Sequence, residues 1–250
     1  NSFGLSERLA LLDAMIEGGI DASILIPGTA ALSVTDTIIL TAHAANMGTK
    51  GALLLPPFYY KEPDDEGLYR YYSRVIEGVG NDQLRLVLYH IPQISIVPIS
   101  HDLIDRLMTA YPGIVCGIKD SSGDLENMQT MCSRFPDLAV FSGADPMMLD
   151  VLQAGGAGCI TATSNVGPGL LRTVWDNWQD ATQTGVVDAA QDQIKAWRAL
   201  ANTYVQIPTT KAMIGRLRGD MTWANVRPPF VEISESERDD IFARMADLEK

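Results

Sequence analysis

Gly113-Ile-Val-Cys-Gly-Ile-Lys-Asp-Ser-Ser-Gly123 carries an apolar, β-branched run into one lysine and then into a turn of small polar residues. Ile114, Val115, Cys116 and Ile118 read as a short buried strand, bounded before by Tyr111-Pro112-Gly113 and after by Ser121-Ser122-Gly123. The helix that follows opens at Ser122 or Asp124 and sets Leu125, Met128 and Met131 at helical spacing. Lys119 therefore stands at the C-terminal end of a strand. A free lysine is almost wholly protonated at neutral pH, with a pKa of ~10.4. A nucleophilic lysine needs burial or neighbouring charge that brings this toward ~7–8. The apolar strand offers burial. Taken alone, such a lysine is more ordinarily a partner for Asp120 or a strand-end charge.

Working outward, the chain alternates. A helix over 6–17 ends at Gly18-Gly19, where a left-handed cap is easy. A strand over 24–28 precedes a helix over 35–46, and a strand over 51–57 runs into Phe58-Tyr59-Tyr60. After a helix over 66–78, the strand over 84–89 meets His90-Ile91-Pro92, and a helix over 100–110 leads to the lysine strand. Strands over 139–145 and 158–162 flank a helix over 146–154; from Pro168 the pattern is helical, interrupted at Ile207-Pro208 and Arg227-Pro-Pro229. Strands that alternate with helices, short and apolar rather than two-faced, predict a parallel sheet with both faces covered. No G-x-G-x-x-G or Walker sequence advertises a doubly wound nucleotide fold, so a barrel fits better.

The 250 residues, 46% hydrophobic, suffice for a sizeable core, and by length alone one α/β barrel is as expected as two smaller domains. A net charge of -12 argues against nucleic acid or an anionic membrane as partner. No apolar run reaches the ~18 residues of a membrane span. Cys116, Cys132 and Cys159 lack metal-ligand spacing, as do His43, His90 and His101, so no metal is expected, and the cysteine usage suggests a reducing cytoplasm.

In a barrel, chemistry gathers at the C-terminal ends of the strands. Those ends supply Tyr59, Tyr89, Lys119, Asp145 and Ser164-Asn165. Tyr59, Tyr89 and Lys119 recur at one fixed interval, so three successive βα units each present a proton-carrying group to one rim. A tyrosine by itself is more often a core or interface aromatic.

Gly-Ile-Lys-Asp-Ser-Ser-Gly-Asp (117–124), Pro-Pro-Phe-Tyr-Tyr-Lys (56–61), Glu66-Gly67-Leu68-Tyr69, Tyr-His-Ile-Pro (89–92), Ser-Gly-Ala-Asp (142–145) and Gly-Ala-Gly-Cys-Ile-Thr-Ala-Thr-Ser-Asn-Val (156–166) together resemble the dihydrodipicolinate synthase/N-acetylneuraminate lyase family of class I pyruvate aldolases. The resemblance runs through nearly the whole chain in consistent order. It implies a (β/α)8 TIM barrel with extra C-terminal helices, in which Lys119 condenses with the ketone of pyruvate or another 2-oxo acid. Tyr89 matches the proton-shuttling tyrosine. Tyr59 matches the tyrosine that completes the relay, in many members by reaching into a neighbouring subunit. Gly143 and Ile160 match backbone positions bordering the pyruvate. An iminium is an electron sink, so a carbanion at C3 can attack an aldehyde or be released by C–C cleavage without metal or cofactor. The implied partners are small 2-oxo acids and aldehydes, and a homodimer or homotetramer.

Two departures qualify the match. Where dihydrodipicolinate synthases place an arginine for a distal carboxylate, this chain has Ile94. A synthase of that substrate is therefore not expected; aldol chemistry on other aldehydes, dehydration of 2-oxo-3-deoxy sugar acids by the same lysine, or a catalytically silent 2-oxo-acid-binding barrel stay open. His90, where the family often has asparagine, is a hydrogen-bonded loop histidine or else a specificity or proton-transfer group. The family's glycine-threonine-threonine loop would precede Asn1, so the expected strands are three to eight of the barrel, N-terminally incomplete. Residues 1–167 would form the partial barrel, and 168–250 its last helix and a helical extension.

Overall fold

The computed structural model describes residues 2–249, which divide into two compact units. The first comprises Phe3–Phe141 with Ala154–Ala157; the second comprises Ser2, Ser142–Gln153 and the chain from Gly158 onward. No helix among the described residues is long and apolar enough to cross a membrane.

In the first unit the elements run α1 (Leu5–Glu17), α2 (Val34–Asn46), β1 (Ala52–Leu54), α3 (Asp65–Val79), β2 (Leu86–His90), α4 (Pro92–Ser95), α5 (His101–Ala110), β3 (Val115–Asp120), α6 (Leu125–Arg134) and all but the last residue of β4 (Ala139–Ser142). The strands are ordered β1-β2-β3-β4. β1 and β2 pair parallel, with Leu53 opposite Val87. β2 and β3 are also parallel, but the register slips: Leu86 lies opposite Val115, and Val87 then lies opposite Gly117. Cys116 is the extra residue of this bulge, and its thiol donates to Leu86 O at 3.7 Å. Burial pushes that thiol's pKa up, as expected of a packed rather than reactive cysteine. Gly117 is required by close approach, since a Cβ there would stand 3.0 Å from Ala139 O.

The core of this unit includes Leu54, Leu86, Leu88 and Ile118 of β1, β2 and β3 and Leu68, Leu103, Leu107, Met128 and Met131 of the helices, all fully or almost fully buried. Sequence periodicity placed Met128 and Met131 correctly, and the cap of α6 is Asp124, which accepts from Asn127 N at 3.0 Å.

The segment expected as a strand over 24–28 is not one. Asp21 accepts from Ser23 N at 2.8 Å and winds Ala22–Ile24 into a 3-10 turn. Pro27 then has no N–H to give, which confines the segment to a sheet edge. It lies parallel beside β1 through a single bridge, Gly28 to Leu53, with Leu53 N donating to Pro27 O at 2.9 Å.

The second unit holds α7 (Met148–Gln153), β5 (Gly158–Cys159), α8 (Pro168–Asn177), α9 (Thr184–Ala201), α10 (Gln206–Arg218) and α11 (Glu235–Leu248). Two apolar clusters build it. Met148, Leu152, Leu171, Val174, Val187 and Ile194 join α7, α8 and α9. Trp197, Leu200, Met213, Ile241 and Met245 join α9, α10 and α11. The strands expected over 139–145 and 158–162 are shorter. Ser142 Oγ accepts from Ala144 N at 3.1 Å and turns the chain at once, and Thr161 Oγ1 does the same for Ser164 N at 3.2 Å.

Candidate active site

Residues in register on parallel strands face the same side of a sheet, and successive residues face opposite sides. Tyr89 is opposite Lys119, and His90 opposite Asp120. The C-terminal ends of β2 and β3 therefore carry Tyr89 and Lys119 on one face and His90 and Asp120 on the other. Lys119 Nζ lies 4.1 Å from the centroid of the Tyr89 ring, within cation–π range. Both side chains are partly buried. Tyr89 also lines a cavity of about 330 Å³ together with Leu53, Leu55, Phe3, Leu11 and Arg8. Arg8 spans its edge, donating to Ala30 O at 2.7 Å and Gly28 O at 2.6 Å, and burial lowers the pKa of its guanidinium.

On the opposite face the polar groups satisfy one another. The fully buried Asp120 carboxylate accepts from Ser122 N and from Asn127 Nδ2, each at 2.7 Å. Asn127 Oδ1 meets His101 Nε2 at 2.9 Å. His90 Nδ1 accepts from Ile99 N at 3.1 Å, which leaves the ring proton on Nε2. Asp120 thus points away from the lysine, so the ordinary reading of a Lys119–Asp120 ion pair does not describe this strand end.

His90 is buried, and burial pulls its pKa down against the opposing effect of Asp120. A histidine with a lowered folded-state pKa is protonated first in the unfolded chain. Stability is accordingly full above the unfolded value of ~6.5 and falls as pH drops below it toward the folded value. His90→Asn keeps an acceptor for Ile99 N and should remove this part of the acid sensitivity. Urea titrations between neutral and mildly acid pH check it, and equal pH slopes for the two proteins would refute it.

Tyr59 lies elsewhere in its local setting: it is 69% exposed in the loop after β1 and stacks edge-on against Tyr60 at 5.3 Å, with no contact to Tyr89 or Lys119 among those described. Lys61 ties this loop down by donating to Phe58 O and to Ser95 O. Ile94, in α4, is 71% exposed. In the second unit Gly143 sits in the Ser142–Ala144 turn, and Ile160 N donates to Ser142 O at 2.9 Å, so these two backbone positions are neighbours. Asp145 is paired with Arg198 at 3.0 Å, and Ser164 and Asn165 bond back to Thr161 O and Ala162 O. No group of three or more His, Cys, Asp or Glu among the described residues could hold a metal ion.

The sequence pattern of the Dihydrodipicolinate synthetase family matches residues 2–247. The chain belongs to that family. A relative from Chloroflexus aurantiacus, named an uncharacterized DapA-like lyase, is 35% identical over 236 residues, 94% of this chain and 77% of that protein. A 4-hydroxy-tetrahydrodipicolinate synthase from Rhodospirillum centenum is 39% identical over 154 residues, 61% of this chain; this chain spans about half, 51%, of that relative. Among solved structures, dihydrodipicolinate synthase from Agrobacterium tumefaciens superposes with a TM-score of 0.85 at 30% identity, covering 100% of this chain and 83% of that one. The fold is thus the α/β TIM-barrel fold of the dihydrodipicolinate synthetase family, a family of lyases. The chain of contacts Asp120–Asn127–His101 was not legible beforehand: its members come from three elements, and no spacing announces that they meet.

Proposed function

We propose that this protein is a class I, Schiff-base-forming lyase or synthase acting on pyruvate or a related 2-oxo acid, with Lys119 as nucleophile and Tyr89 as proton shuttle. The observation that carries the reading is Lys119 Nζ held 4.1 Å from the Tyr89 ring centroid at the paired ends of two parallel strands. A neutral amine at Nζ adds to the C2 carbonyl, and the carbinolamine loses water to give an iminium. Loss of a C3 proton then gives an enamine that attacks an aldehyde, or the reverse sequence cleaves a C–C bond. Tyr59 would complete the proton relay. Its exposure suits a residue offered to a second subunit of a homodimer or homotetramer. Gly143 and Ile160 would border the 2-oxo acid, a role resting on the family pattern. In this reading residues 1–167 supply barrel and 168–250 the last helix and its extension, and the protein works in the cytoplasm without a cofactor. Incubation with pyruvate and borohydride should leave a reduced adduct on Lys119, located by peptide mass spectrometry; its absence would sink the reading in favour of a silent barrel.

The second substrate is expected to lack a distal carboxylate. Ile94 cannot grip one, and the Lys61 ammonium is already held by two carbonyls. A rate comparison between aspartate semialdehyde and an uncharged aldehyde of similar size checks this. A preference for the acid of ~100-fold, about 2.7 kcal/mol of transition-state binding, would show that some other cation serves that carboxylate.

A further inference from the structure

We infer that Asp120 is a positioning residue for the Lys119 amine, and that it acts through the hydrogen-bond polarity it shares with Asn127 and His101; this rests on the Schiff-base reading above. Asp120 closes β3 directly after the lysine. One carboxylate oxygen accepts from Ser122 N and fixes the bend of the chain there, while the other accepts from Asn127 Nδ2 in the first turn of α6. A carboxylate can only accept, so the Asn127 amide must present its nitrogen to Asp120 and its oxygen to His101 at the start of α5. His101 therefore carries its proton on Nε2. From the other side, Ser121 N donates to His90 O on β2 at 2.8 Å. The peptide that bears Lys119 is clamped at the first residues beyond it to β2, α5 and α6, and the amine projects from the clamped backbone onto the Tyr89 ring.

Asp120→Asn removes the acceptor that fixes the Asn127 amide, so the bonds survive only if that amide flips and His101 moves its proton to Nδ1, and Asn127→Asp sets two carboxylates face to face. The exchange of both, Asp120→Asn with Asn127→Asp, restores every donor to an acceptor: the new amide oxygen still receives Ser122 N, and the carboxylate on α6 receives both the new amide nitrogen and His101. It moves the negative charge off β3 while keeping the polarity, which separates positioning from electrostatics.

The test measures, in the full chain, the rate of borohydride-trapped pyruvate adduct on Lys119 against pyruvate concentration, with melting curves for each protein. Displacement of a reacting group by about 1 Å can cost ~10²-fold. Each single variant should lower the saturating trapping rate by about tenfold or more, with a smaller change in half-saturating pyruvate, and the exchange should return it to within about threefold of wild type. If wild type forms no Lys119 adduct, the Schiff-base reading falls and takes this inference with it. If wild type traps and Asp120→Asn traps equally well, this inference alone falls. An exchange variant that melts like wild type yet traps slowly, or one that does not fold, also overturns it, because restored polarity must restore both structure and rate.

Discussion

Lys119→Arg is expected to abolish the borohydride-trapped pyruvate adduct and with it any aldol turnover, by more than any other single change in the protein. A guanidinium stays protonated far above neutral pH and offers no lone pair for the C2 carbonyl. It can still lie against the Tyr89 ring, where the native Nζ stands 4.1 Å from the centroid, so the fold should survive. The measurement is peptide mass spectrometry after reduction, beside a melting curve. An adduct of undiminished yield in a folded Lys119→Arg protein would mean that the nucleophile is another amine.

The largest expected effect on stability comes from Arg198→Leu. The Asp145 side chain is only 3% exposed and is paired with Arg198 Nη1 at 3.0 Å; Arg198 itself is 22% exposed and reaches Thr163 Oγ1 at 3.5 Å. Removing one partner strands a buried carboxylate, a change that costs about 3–5 kcal/mol in buried pairs, with the lower end favoured where one partner keeps some water. Adding Asp145→Asn to Arg198→Leu should recover part of that loss, since the stranded charge is then gone. Chemical denaturation of the three variants measures the coupling. A loss below about 1 kcal/mol for Arg198→Leu, as for an exposed pair, would contradict the assignment.

Much of the site could be read from the chain because βα repetition fixes where strand ends fall. Val115 and Ile118 announce β3, Asp124 and the two methionines announce α6, and the shared interval between Tyr89 and Lys119 puts them on neighbouring strand ends. Tyr59 obeys the same interval, but β1 ends at Leu54, so the loop and not the pleat sets where its ring goes. The apolar run after Asp21 imitates a strand because periodicity is blind to a side-chain turn and to the missing N–H of Pro27. Pro208 misleads in the opposite sense. A proline there signals a helix interruption, yet it lies in the first turn of α10, where its absent donor is not needed.

The bulge at Cys116 decides something larger than a local kink. Counted straight on from the pair Leu86–Val115, an unbroken ladder would set Ile118 beside Tyr89 and Lys119 beside His90. One surplus residue inverts the parity of everything after it, so the amine faces the phenol and the carboxylate faces the helices. Which of two adjacent charged residues meets the Tyr89 ring and which meets Ser122 and Asn127 is settled three positions upstream, by a residue that carries no charge of its own.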